Sequence, residues 1–117
     1  MKQIGTQVKE NESFLKREDY QKEILRKLEA AKDIVKEYYE SGMFNEEMNS
    51  VIKDAKEKFD KVKVKNNSVV IFDVDETALN NYGLALMMDF GYVYDLNKKW
   101  NEELKAPAIP QVRDLYN

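Results

Sequence analysis

The junction between Val69-Val70-Ile71-Phe72 and Asp73-Val74-Asp75-Glu76-Thr77 constrains this chain more than any other stretch. Four consecutive β-branched or aromatic residues have the pattern of a strand buried on both faces. Asn66-Asn67-Ser68 in front of them is a turn signal. The run then ends abruptly in acid. A buried parallel strand that stops in this way sets Asp73 and Asp75 at the carboxyl edge of a sheet, where open α/β folds bind their ligands. A lone apolar strand also leaves two unpaired edges. Its cover must come from a second copy of the chain, from a further C-terminal segment, or from Lys61–Lys65 folding back. The alternation within Lys61–Lys65 permits a short edge strand, and a frayed helix end is the preferred reading.

The residues before the junction read as helical. Residues 1–12 are polar, residues 1–17 are expected to form a loose N-terminal segment, and residues 18–66 a helical hairpin. The first helix starts near Ser13 or Asp19, with Tyr20, Ile24, Leu28, Ala31, Val35 and Tyr38 recurring at steps of three and four. Glu23 and Lys27 have the favourable i,i+4 order. Gly42 is the expected left-handed cap. Asn45 is the expected N-cap of a second helix reaching about Lys61, whose apolar face is Met48, Val51, Ile52, Ala55, Phe59 and Val62. Tyr38 and Tyr39 complete the hairpin core. Residues 67–117 hold the strand and three shorter helices, predicted at 82–89, 97–104 and 110–116. Trp100 and Leu104 are expected to face inward. Pro107 breaks one helix and Pro110 opens the last.

Composition removes several kinds of chemistry. The 117 residues include no histidine and no cysteine. That excludes a Ser-His-Asp triad, a thiolate nucleophile and a disulfide framework, and it removes the commonest zinc ligands. The net charge of −3 argues against a nucleic-acid binder. No apolar run is long enough to span a membrane. Acids are concentrated after the turn, with eight acidic against four basic side chains over residues 67–117. Chemistry in this chain therefore falls to carboxylates, lysines and hydroxyls.

An apolar strand followed by Asp73-x-Asp75-x-Thr77 resembles the first motif of the haloacid dehalogenase (HAD) superfamily of phosphatases. The continuation Asp75-Glu76-Thr77-Ala78-Leu79-Asn80-Asn81 adds to the likeness. So do the following tyrosine and apolar helix, and Trp100 before Lys105-Ala106-Pro107. Together they resemble acid phosphatases of the class C type, over about residues 18–117. The implied fold class is α/β: a helical hairpin, then the first strand and cap-like helices of an incomplete HAD-like Rossmannoid fold. The implied activity is magnesium-dependent hydrolysis of a phosphomonoester. Asp73 is implied as the nucleophile that forms an aspartyl-phosphate, and Asp75 as the acid that protonates the leaving oxygen and later activates water. Mg2+ would lie between Asp73 and phosphate and take the backbone carbonyl of Asp75. Thr77 would brace the loop or the phosphate.

The resemblance also implies three later motifs: a Ser or Thr after a second strand, a phosphate-neutralising Lys, and acids that close the metal site. Lys98, Lys99, Lys105, Asp89 and Asp95 fall too early for those roles, and the chain ends at Asn117, before the second strand. Weak activity, or none, is therefore expected from these residues alone. The alternative is a non-catalytic, truncated or strand-exchanged helical assembly derived from such a phosphatase. A plain helical interaction module with an incidental acidic loop is a third reading. A glycosyltransferase-type Asp-x-Asp stays open. An EF-hand loop beginning at Asp73 fails, because Ala78 stands at its glycine position and Leu84 at its closing glutamate. Met87, Met88 and Phe90 read as core or cap. The absence of a signal peptide favours the cytoplasm, although relatives of this type are often exported.

Overall fold

Apolar residues at helical spacing build the first half of the chain into two helices, and prolines and glycines divide the second half into shorter ones. A computed structural model describes residues 18–117; the expected loose segment 1–17 lies outside the described residues. The chain divides after Tyr38 into two compact units.

Helix α1, Glu18–Glu40, begins with acids in its first turn and contains no buried residue. Glu18 accepts from Lys22 at 3.0 Å. Glu23 pairs with Arg26 at 2.6 Å, one residue short of the expected Lys27. This interaction, above all its hydrogen bond, holds the Glu23 carboxyl below the usual carboxylate range.

The second unit, Tyr39–Asn117, carries α2, Met43–Asp60. Gly42 precedes it at φ 97°, a left-handed conformation that glycine adopts without steric penalty. The Glu46 N–H donates to the Gly42 carbonyl, so Asn45 lies inside the helix and is not its cap. At the far end Lys61 caps the helix through its N–H to the Lys58 carbonyl, and no strand forms over Lys61–Lys65. Three short helices follow: α3, Tyr82–Met87; α4, Tyr94–Glu102; and α5, Pro110–Tyr116. Helix α4 starts three residues earlier than its periodicity suggests, because Val93 is extended and α4 begins directly after it. Pro110 opens α5 where its missing N–H costs nothing.

The core lies between α2 and α5. Ile52, Ile109 and Val112 are buried there, with Phe44, Met48, Phe72 and Leu115 packed against them. A second packing pair is α3 and α4, in which Leu84 and Trp100 are buried. Leu104, expected to face inward, is 87% exposed. Its φ of 53° turns the chain out of α4, so the helical face that would have buried it has ended.

The expected strand differs most from the structure. Residues 69–73 carry no ladder, and the described residues contain no strand. Only isolated bridges occur, Asp75 with Leu79 and Leu79 with Ala108. Val69 and Ile71 are 80% and 89% exposed. The physical reason is pairing: a strand is defined by inter-strand hydrogen bonds, and no second segment of the described chain supplies them. Among the described residues there are helices and no sheet.

Candidate functional site

The acidic junction is folded into a tight loop around one carbonyl. Val74 O accepts from the N–H groups of Thr77, Ala78 and Leu79, at 3.3, 2.9 and 2.9 Å. Glu76 sits at φ 58°, which costs a non-glycine residue about 1 kcal/mol. Its N–H donates back across the loop to Leu79 O at 2.9 Å. Two further bonds tie the loop to the start of α5. Asn80 N–H donates to Pro107 O at 2.9 Å, and Ile109 N–H donates to Ala78 O at 2.8 Å. Ile109 also belongs to the core, so packing and loop geometry meet at one residue.

Each carboxylate of the loop has a local partner. The Thr77 hydroxyl donates to Asp73 Oδ2 at 3.3 Å. Asn81 Nδ2 donates to Asp75 Oδ1 at 3.1 Å. The Asn81 backbone N–H donates to Glu76 Oε1 at 3.0 Å. Asp73, Asp75 and Glu76 are all exposed. The sequence motif assigns roles to Asp73, Asp75 and Thr77 and includes Asn81 without giving it one. The signal that could have found it is an Asn-Asn pair at a helix start, directly behind an acidic loop.

An apolar cleft of about 280 Å³ opens beside Asp73, walled by Phe72, Leu79, Val112 and Tyr116 among others. Asp73 and Arg113 are the charged side chains on its wall. The lysines set aside on sequence grounds are engaged elsewhere: Lys98 with Glu102 at 3.8 Å, Lys99 with Glu103 at 3.8 Å, and Lys105 with Glu103 at 2.6 Å. The hydrogen bond from Lys105 is the main reason the Glu103 carboxyl lies below its ordinary range. Among the described residues no three acidic side chains converge into a metal cage. The donors the loop offers are hard oxygens. That set matches the way Mg2+ is usually held, by one or two carboxylates with water and substrate phosphate completing the shell.

An aromatic stack stands near the loop. Tyr39 lies between Phe44 and Tyr82, with ring centroids 4.8 and 4.2 Å away. Tyr82 Oη donates to Glu40 Oε1 at 2.9 Å. Burial, and then the charge of Glu76, raises the Tyr39 phenol above its ordinary value. Desolvation raises that of Tyr82, and its bond to Glu40 adds to the effect. Phenols raised in the folded state stabilise it up to the ordinary value of about 10. That contribution is lost as pH rises through the folded values. An ultraviolet titration should therefore show Tyr39 and Tyr82 ionising above the ordinary phenol value, with stability falling over the same range. Tyr82→Phe should remove one late tyrosine. A parent chain with no phase above the ordinary phenol value would contradict the packing of this stack.

A model of the acid phosphatases described as HAD superfamily, subfamily IIIB, matches residues 4–117. No curated protein and no solved structure matches the chain.

Proposed function

The chain belongs to subfamily IIIB of the HAD superfamily, the acid phosphatases, and from that membership we propose that it is a magnesium-dependent phosphomonoesterase acting through Asp73. The observation that carries this reading is the loop itself. Two exposed carboxylates two residues apart are held on a fixed backbone, each with a hydrogen-bond donor of its own. Asp73 attacks phosphorus through a carboxylate oxygen and displaces the alcohol. Asp75 gives its proton to the leaving oxygen. Water then attacks the aspartyl-phosphate as Asp75 takes the proton back, and inorganic phosphate departs. Thr77 steadies Asp73 through its hydroxyl. The Asp73 carboxylate and the Asp75 backbone carbonyl are the oxygens that would hold Mg2+, which when bound offsets the charge between nucleophile and phosphate. The sheet of the HAD-like fold is likewise a proposal, with residues 69–73 as its first strand.

Turnover by these residues alone should be slow, because among the described residues Arg113 is the one cation beside Asp73 on the cleft wall. The test is hydrolysis of p-nitrophenyl phosphate by the purified chain, with magnesium and with excess chelator. Slow turnover that disappears with chelator is the expected result. Turnover indifferent to magnesium would remove the metal from the proposal, and no turnover would remove the enzyme.

The exposure of Val69 and Ile71 favours a second reading, a non-catalytic assembly of two copies paired through this run. Charge selects the direction of pairing. A parallel, in-register pair would set Asp73, Asp75 and Glu76 against their own copies, and like charges directly opposite are destabilising. An antiparallel pair brings the lysine end, Lys63 and Lys65, toward the partner's acids. Light scattering should then show a concentration-dependent dimer that Ile71→Lys converts to monomer. A parent chain that is monomeric at every concentration would dismiss this reading.

A further inference from the structure

Asn81 stands at the N-cap of α3, and its backbone carbonyl accepts the Ala85 N–H at 3.0 Å. Asparagine is favoured at that position because its side-chain oxygen can take a free N–H of the first turn. Here the side chain makes no such bond. The neighbouring Asn80 Oδ1 accepts the Tyr82 N–H instead, at 2.8 Å. The Asn81 amide is turned away from its own helix and joins two other groups. Nδ2 donates to Asp75 Oδ1 at 3.1 Å, and Oδ1 accepts from Trp100 Nε1 at 3.0 Å.

The direction of this bridge is fixed by chemistry. An indole N–H can only donate, so the amide must present its oxygen to Trp100 and its NH2 to Asp75. Trp100 in turn is held firmly. It is buried, and its ring lies so close to Gly83 that a Cβ there would sit 2.9 Å from the Trp100 Cη2 atom. Glycine at 83 is what lets the indole approach the start of α3. A rigid aromatic anchor thus sets an amide, and the amide sets a carboxylate.

We infer that Asn81 is a positioning residue, holding the Asp75 carboxylate in place through an amide that Trp100 locks. The role given to that carboxylate rests on the phosphatase reading above, whereas the bridge itself does not.

Two measurements on the full chain separate the bridge from the role. The first follows the Trp100 indole N–H resonance. Asp75→Leu should shift it in the parent chain and leave it unmoved in an Asn81→Leu background. Equal shifts in both backgrounds, or none in the parent, would overturn the inference. The second compares p-nitrophenyl phosphate, which has a good leaving group, with an alkyl phosphate, which needs protonation. Asn81→Leu should lower kcat for the alkyl ester by about 10²-fold, the scale of a lost general acid, with KM unchanged and a much smaller loss on the aryl ester. Equal losses on both esters would overturn the inference. Should the parent chain hydrolyse neither ester, the phosphatase reading falls, and the indole resonance still decides whether Asn81 holds Asp75.

Discussion

Asp73→Asn should lower phosphomonoester turnover by at least about 10³-fold, the scale expected when a nucleophile is removed. The amide is nearly the same shape as the carboxylate, and its oxygen can still accept from the Thr77 hydroxyl that Asp73 receives at 3.3 Å. Asp73 is also exposed and makes no part of the core. Circular dichroism and the denaturation midpoint should therefore hardly change while chemistry is lost. Asp75→Asn should cost about 10² to 10⁴-fold, because it removes a proton donor and acceptor and leaves the attacking group in place. Steady-state hydrolysis with magnesium, measured on the two variants beside the parent, checks both. Turnover that survives Asp73→Asn would move the nucleophile elsewhere.

The largest expected effect on stability belongs to Ile109→Ala. Ile109 is 1% exposed and sits between α2 and α5 with Ile52 and Val112. Removing its branched side chain loses transfer free energy and leaves a cavity, at a cost of about 3 kcal/mol. Domains of this size are stable by only about 5–15 kcal/mol, so the loss is a large share of the whole. Few other residues can compensate, since Ile52, Leu84, Trp100, Ile109 and Val112 are the buried hydrophobic residues among those described. The same change should loosen the acidic loop, because the Ile109 N–H holds Ala78 O at 2.8 Å. Urea unfolding should show a lower midpoint with an unchanged slope. Leu104→Ala, at a position 87% exposed, is the control and should stay within about 0.5 kcal/mol. Equal effects of the two substitutions would contradict the assignment of the core.

What could be read from the sequence follows the range of the interactions involved. The helices were legible because their causes are local. Apolar spacing marks α1 and α2, Gly42 takes the left-handed turn between them, and Pro110 fixes the start of α5. Pattern and structure part where a local signal has a competitor. Asn45 has the residue type of a cap, but the helix had already begun at Met43. Leu104 continues the periodicity of α4, but the backbone leaves the helix before reaching it. The strand over residues 69–73 is a different case. Its composition is a property of the segment, whereas its hydrogen bonds need another segment, and pattern alone cannot supply one. The site divides in the same way. Asp73, Asp75 and Thr77 lie in one short motif. The Asn81 bridge joins positions 75, 81 and 100, and no sequence period connects them.

A phosphate carried by Asp73 during turnover is the central claim, and trapping it is the most direct measurement. The chain would be mixed with a phosphomonoester and Mg2+, quenched in acid, and treated with borohydride, which reduces an aspartyl-phosphate and marks the residue that carried it. Peptide mass mapping then locates the mark. A mark on Asp73 in the parent chain, and none in Asp73→Asn, is the expected result. Product release with no mark on the peptide that contains Asp73, or a mark on another acid, would contradict the role assigned to this residue.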